Sequence, residues 1–268
     1  MNKPGIWLSF CTSSRNRLWQ LKETLGHNLS ALDAGVEIVL VDYASTDGLS
    51  EWVWENFREF VDNSKLKFFE VKNEVPWNAS KAKNLAHRLA GGAYLFNLDA
   101  DNFITSDDVG LLQKAFHANH PSHQWSGVLG DGSFGRMGMP KDLYLKLGGY
   151  DESLLPMGGQ DVDLFNRILA LGLRFVRLPE VATAAVKNTV QDKLAELNVA
   201  SDSAASMYDQ MNKFNIETSK FRLRMEGPIR TDSFATFRGL LNQKPVVIDG
   251  LNHIRPYELT EFGQGGSM

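Results

Sequence analysis

Two carboxylates one residue apart, Asp99 and Asp101, follow an apolar run, Ala93-Tyr94-Leu95-Phe96-Asn97-Leu98. If that run is a strand, alternate residues point the same way and both carboxylates leave the sheet edge together. Two carboxylates completed by diphosphate oxygens make an adequate site for a hard cation such as Mg²⁺ or Mn²⁺. An Asp-x-Asp also occurs by chance in loops, so the pair alone identifies nothing. A third carboxylate, Asp42, ends another apolar run and lies in Val41-Asp42-Tyr43-Ala44-Ser45-Thr46-Asp47-Gly48. There it can accept a hydrogen bond from a base or ribose, while Ser45, Asp47 and Gly48 suit a tight turn into a helix. A plain strand–turn–helix with Asp47 or Ser50 as its cap explains the same residues. Several other chemistries fail. The chain has no P-loop, no G-x-G-x-x-G opening a helix, no H-E-x-x-H and no G-x-S-x-G. Asp99-Ala100-Asp101 cannot open an EF-hand loop, because Ile104 replaces the turn glycine and Gly110 the bidentate glutamate. His117, His120 and His123 have ligand-like spacing, but beside Pro121 the simpler reading is a solvated helix end. Cys11 is the single cysteine and reads as a small buried hydrophobe.

These groups need a scaffold, and the hydrophobic pattern supplies one. Strands are predicted at Ile6–Cys11, Glu37–Asp42, Leu66–Val71 and Ala93–Asp99. Helices are predicted between them at Arg17–Leu32, Ser50–Phe60 and Ala79–Leu89. That alternation implies an α/β fold with a mostly parallel sheet and helices on both faces. In such sheets ligands gather beyond the carboxyl ends of the strands. Three of those ends carry polar chemistry: Thr12-Ser13-Ser14-Arg15, Asp42, and Asp99-Ala100-Asp101. Further on, glycines at 127, 130, 132, 135 and 138 read as loops around a short strand. A second cluster, Gly148-Gly149-Tyr150-Asp151-Glu152 to Gly158-Gly159, precedes a helix predicted over Gln160–Leu171. From Asp202, residues Met207, Met211, Phe214, Thr218, Phe221 and Met225 recur at steps of three and four and mark an amphipathic helix. That stripe reads as packing onto the main domain, with a partner-docking face as the alternative.

Composition bounds the function. The 268 residues are 43% hydrophobic and 22% charged, the balance of an ordinary globular chain. A net charge of −4 argues against a general nucleic-acid binder. No apolar run reaches the roughly 18 residues of a membrane span, and Ile6–Cys11 is too short for a signal-peptide core. A cytoplasmic protein is the expectation, with a peripheral membrane contact left open. Gly263-Gln264-Gly265-Gly266-Ser267-Met268 has the composition of a flexible tail.

Five blocks taken together resemble the nucleotide-sugar glycosyltransferases of the GT-A fold, particularly family 2, the β-1,4-galactosyltransferases and the bacterial chondroitin-type polymerases. They are Thr12-Ser13-Ser14-Arg15-Asn16-Arg17, Val41 to Gly48, and Asn78-Ala79-Ser80-Lys81-Ala82-Lys83-Asn84-Leu85-Ala86. The last two are Leu98-Asp99-Ala100-Asp101-Asn102, and Gly148 to Glu152 with Gly158-Gly159-Gln160-Asp161-Val162-Asp163. The resemblance implies a Rossmann-like GT-A domain over residues 1–190 and a helical extension over 191–268 that packs on it. It implies an inverting transfer from a UDP-sugar to a saccharide or other hydroxyl acceptor. Thr12, Arg15, Asp42, Lys83 and Asp99 would hold the nucleotide-sugar. Asp101 with Asp99 would hold Mn²⁺ or Mg²⁺, which neutralises charge on the diphosphate leaving group. Asp161 would be the general base, and Gln160 and Met157 would face the acceptor. The chain departs from the pattern in three places. Gln160 stands where a glutamate is common, Met157 where the galactosyltransferases carry tryptophan, and no histidine lies between His123 and His253. Two alternatives follow: a nucleotide-sugar binding module that has lost turnover, and a haloacid-dehalogenase-type phosphatase. The second would need its Asp-x-Asp on the first strand.

Overall fold

A computed structural model describes residues 5–72, 75–128, 133–179, 185–197, 203–250 and 253–256. Residues 1–4, Gly130, Gly132, Asp202 and the tail at 263–268 lie outside that set. In chain order the elements begin β1 (Leu8–Ser14), α1 (Leu18–Ser30), β2 (Val36–Asp42), α2 (Leu49–Asn56), α3 (Arg58–Asp62), β3 (Leu66–Val71), α4 (Ala79–Leu89) and β4 (Tyr94–Asn97). Next come α5 (Ser106–His117), β5 (Ser122–His123), β6 (Met137–Pro140), α6 (Lys141–Leu147), α7 (Gln160–Ala170) and β7 (Val176–Arg177). The chain closes with α8 (Val190–Leu194), α9 (Ala204–Glu226), β8 (Phe237–Leu241), β9 (Lys244–Asp249) and β10 (His253–Pro256).

One sheet runs β10-β9-β8-β3-β2-β1-β4-β6-β5-β7. Its centre, β3-β2-β1-β4, is parallel, as the β-α-β alternation predicts. Both flanks join it antiparallel, through β6 on β4 and β8 on β3. Alternate residues of the central strands feed two cores. Phe10, Ile38, Leu40, Phe68 and Phe96 pack against α1, α2 and α5 on one face, while Cys11, Val39, Val41, Phe69 and Leu95 meet α4, α6 and α7 on the other. All seven residues of β2 are buried, with the apolar run Ile38–Val41 flanked by the buried carboxylates Glu37 and Asp42.

Helix α4 and strand β3 coincide with their predicted spans. Elsewhere tertiary contacts moved the boundaries. β1 runs on to Ser14 because its ladder continues to Ser14↔Asp42, and backbone pairing does not require apolar side chains. The helix predicted over Ser50–Phe60 is two, broken at Phe57 with φ −129°. Asp47 caps neither: its Oδ2 accepts from Leu18 N at 2.8 Å, closing the first turn of α1 instead. Apart from Met211, the stripe on α9 is not its packing face. Phe214, Phe221 and Met225 are 55%, 62% and 69% exposed, and the buried residues are Ala204, Met211, Asn215 and Ser219. Nor are the described residues after Glu226 helical, since β8, β9 and β10 extend the sheet. Among the described residues no helix is long and apolar enough to cross a membrane.

Candidate active site

The site follows the carboxyl edge of the parallel strands. At its β2 end, Asp42 is buried and accepts from Ser45 N at 2.7 Å, folding the loop back on itself. Burial raises its pKa, against hydrogen bonds from Ser45. The loop is clamped to the neighbouring β1–α1 loop, because Asn16 Oδ1 accepts from Thr46 N at 2.7 Å and Asn16 N donates to Ser45 Oγ at 3.0 Å. Thr12 is buried opposite Leu40 on β1. Arg15 donates to the Val75 carbonyl at 2.6 Å and pairs with Glu196 at 2.8 Å. Arg17 donates to the Asp192 carbonyl. The α8 segment is therefore latched to the loop after β1.

Beyond β4 the geometry differs from the two-carboxylate edge expected on a strand. The strand ends at Asn97, and Asp99 to Asn102 form a turn closed by Asn102 N on the Asp99 carbonyl at 2.9 Å. The two side chains thereby acquire different partners. Asp99 meets Lys83 at 3.2 Å, while Asp101 accepts from Asn102 at 2.7 Å and from Asn188 at 3.5 Å. Burial, then the charge of Asp99, pushes the Asp101 carboxyl up to about 6. Asp99 moves the opposite way. Burial raises it, but Lys83 and the Asn97 amide outweigh that effect and hold it below the usual carboxylate value.

Lys83 is the centre of the site. It projects from α4, is 9% exposed, and places Nζ 2.9 Å from Asp161 and 3.2 Å from Asp99. The Tyr150 ring lies 5.4 Å from the same ammonium. Burial alone would lower the lysine pKa, yet the two carboxylates raise it above its ordinary value. The charged form is held in place. Gly135 covers the pair, since a Cβ there would fall 3.1 Å from Asp99 Oδ2 and 3.2 Å from Asp161 Oδ2.

Asp161 is the second residue of α7, where the N-terminal helix dipole favours a carboxylate. Gly158 and Gly159 precede it with φ of 85° and 78°, and a Cβ on either would meet α9 at 2.9–3.0 Å. The glycine pair therefore serves a left-handed turn and a close helix approach together. Asn215 of α9 secures this loop. Its amide donates to Gly158 O at 2.6 Å, Leu155 O at 3.1 Å and Met157 O at 3.3 Å, and its oxygen accepts from Leu155 N at 2.8 Å. Gln160 is buried and donates to Leu155 O at 3.1 Å. Met157 accepts through sulfur from the Trp77 indole at 3.0 Å. Both predicted acceptor residues thus support the loop before α7.

The predicted residues are brought together in two groups. Lys83 touches both Asp99 and Asp161, with Asp101 on the same turn as Asp99, while Asp42, Thr12 and Arg15 line the β1–β2 end. Sequence reasoning missed Asn215, Gly135 and Glu196, which act across long separations. It also misread His123, which is a buried side chain on β5 bonded through Nε2 to Phe134 O at 2.9 Å rather than a solvated helix end. Among the described residues no cluster of three His, Cys, Asp or Glu could hold a metal. His253 offers no third ligand, being 83% exposed on β10 at the far edge of the sheet.

Residues 9–149 match the model of glycosyl transferase family 2, and residues 112–191 match the N-terminal domain of galactosyltransferase. No curated protein matches the chain. Among solved structures, S. aureus TarS 1-349 in complex with UDP is 17% identical, with TM-score 0.55, covering 82% of this chain and 74% of that one. The same protein with UDP-GlcNAc gives 14% identity and TM-score 0.56 over 94% and 99% of the two chains. Mannosyltransferase PcManGT from Pyrobaculum calidifontis, in complex with GDP-Man and Mn²⁺, gives 18%, 0.55, 84% and 78%. At these identities the likeness is one of fold. In this chain Asp99-Ala100-Asp101 follows the fourth strand, not the first, which removes the phosphatase reading.

Proposed function

The chain belongs to glycosyl transferase family 2, and from that premise we propose an inverting transfer of a sugar from a UDP-sugar to an acceptor hydroxyl. Asp161 is the general base. Its carboxylate takes the acceptor proton as the hydroxyl oxygen attacks the anomeric carbon. The bond from that carbon to the diphosphate oxygen breaks, the nucleoside diphosphate leaves, and the configuration inverts. The observation that carries this reading is the lysine bridge, in which one buried ammonium contacts both Asp161 and Asp99. It puts the proton acceptor beside the carboxylate of the donor side and supplies a cation that diphosphate oxygens can share. Asp42 and Thr12 at the β1–β2 end receive the base. Bound UDP and UDP-GlcNAc in TarS support the choice of donor class.

A divalent cation fits this donor set in one form. Asp101 and Asp99 supply two carboxylates, and such ions are commonly completed by substrate phosphates and water. Held there, the ion would neutralise charge growing on the leaving group. One observation favours the alternative of a binding module without turnover: the absence of a third potential ligand among the described residues. UDP release from a panel of UDP-sugars, with and without acceptor saccharides, separates the two. Asp161→Asn is expected to retain UDP binding and lose about 10²–10⁴ in transfer. Near-wild-type transfer by that variant would exclude the base assignment.

A further inference from the structure

The functional reading leaves the other end of the site without an occupant. In the sheet, β6 and β5 lie on the opposite side of β4 from β1 and β2. β6 runs antiparallel to β4, and β5 antiparallel to β6. The start of β6 and the end of β5 therefore reach the same carboxyl edge that carries Asp42 and Asp99. Five aromatic or imidazole rings gather there. His123 lies 5.0 Å from Phe134, 5.1 Å from Phe165 and 5.7 Å from Phe175, and stacks with Trp125 at 6.1 Å and 21°. Trp125 and Phe134 meet edge to face at 5.3 Å, and Phe165 and Phe175 stack at 4.5 Å and 5°.

This cluster divides into a foundation and a shelf. Phe165 and Phe175 pack against the core on the α4 side, and His123 is buried beneath the group. Because a carbonyl can only accept, His123 donates Nε2–H to Phe134 O, and burial keeps the ring neutral by lowering its pKa. Trp125 and Phe134 belong to neither large core cluster and remain half-buried. The Trp125 indole N–H is already engaged by Val128 O at 3.2 Å, so what the residue offers is ring surface. Phe134 is bonded directly to Gly135, the residue lying over the Asp99 and Asp161 carboxylates. Phe165 is one turn along α7 from Asp161. The shelf thus adjoins the proton acceptor and lies on the side away from the nucleotide end.

We infer that Trp125 and Phe134 form the acceptor subsite and that the acceptor is a pyranose ring, laid by its C–H face on the aromatic surface with a hydroxyl toward Asp161. This rests on the transferase reading above. Aromatic rings carry negative faces, which attract the slightly positive C–H groups on the flat side of a pyranose. An apolar wall beside a few convergent polar groups is also the usual make-up of a small-molecule site. A flexible polyol or simple alcohol presents no such flat face and would gain little from the shelf.

The test is a titration followed through the Trp125 indole resonance of ¹⁵N-labelled protein, identified by its loss in Trp125→Phe. The probes are methyl β-D-glucopyranoside, methyl N-acetyl-β-D-glucosaminide, methyl α-D-mannopyranoside and chitobiose, with sorbitol as the open-chain control. At least one pyranoside should shift the resonance saturably while sorbitol does not. With that pyranoside as acceptor, Trp125→Ala should raise its KM roughly tenfold, the effect of one lost stacking contact, with a smaller change in kcat. Absence of any pyranoside shift, an equal shift with sorbitol, or an unchanged acceptor KM in Trp125→Ala would overturn the inference. UDP titrated into the same sample separates its failure from that of the transferase reading. If UDP binds and no pyranoside does, only the acceptor subsite falls.

Discussion

Asn215 is expected to control both the stability of the fold and the placement of Asp161. Its side chain is fully buried and makes four hydrogen bonds to the Leu155–Gly158 loop. Two of them, from Leu155 N at 2.8 Å and to Gly158 O at 2.6 Å, are short and directional. Asn215→Ala removes all four and leaves those two backbone groups without their partner. An unmade buried hydrogen bond costs about 1–3 kcal/mol, and the longer contacts add less, so the total destabilisation is roughly 2–6 kcal/mol. The same loop leads into Gly159 and Asp161, so transfer should fall while UDP affinity holds. Asn215→Asp is predicted to be worse than Asn215→Ala, although it is nearly isosteric. It keeps the acceptor for Leu155 N but turns a carboxylate oxygen toward three carbonyls, and a buried charge facing lone pairs costs more than a cavity. Urea unfolding of the three proteins gives the comparison. An alanine variant within about 0.5 kcal/mol of wild type, or an aspartate variant more stable than alanine, would refute this account of how α9 holds the loop.

Three further outcomes are expected. UDP should raise the melting temperature more than GDP or CDP at equal concentration, and Asp42→Ala should erase that preference; equal shifts from all three nucleotides would remove Asp42 from base recognition. Mn²⁺ should bind weakly to the nucleotide-free protein and more tightly with UDP present, with UDP affinity rising by the same factor; tight calorimetric binding of Mn²⁺ alone would show a site already complete. Asp151 is fully buried and accepts from Arg230 at 2.6 Å and from Arg222 at 2.7 and 2.8 Å. Burial raises its pKa, but hydrogen bonds from Ser153 and Arg230 and the charge of Arg222 outweigh this and hold it below the ordinary 3.8. A depressed folded pKa contributes stability that is complete above the unfolded value and is lost as pH falls through the folded one. The melting temperature should therefore drop below about pH 5, and Asp151→Asn should flatten that acid slope while costing about 3–5 kcal/mol at neutral pH; an unchanged slope would place the acid sensitivity elsewhere.

The sequence by itself determined the parts of this protein that local physics controls. The runs at 37–42 and 66–71 are strands, and Ala79 to Leu89 is a helix, because periodicity acts within a few residues. The polar strand ends followed from the same alternation, and so did the position of Asp42, whereas Asp99 and Asp101 lie on the turn after β4, where alternation no longer sets their directions. What only the tertiary structure decided depends on distant partners. Phe237–Leu241 and Lys244–Asp249 turn through Asn242 and Gln243, both at positive φ without the glycine that marks such hairpins, and the first of the two strands pairs with β3 across a long stretch of chain, at Phe69↔Leu241. The helix at 204–226 was legible from its spacing, but its buried face was not. Most of the apolar stripe, Met211 apart, lies outward because Asn215, Ser219 and Arg222 find hydrogen-bond and ion-pair partners on the domain. Lys83 could be read as a nucleotide contact from its block. Its bridge between Asp99 and Asp161 could not, since α4, the turn after β4 and the start of α7 meet only when the sheet has placed them.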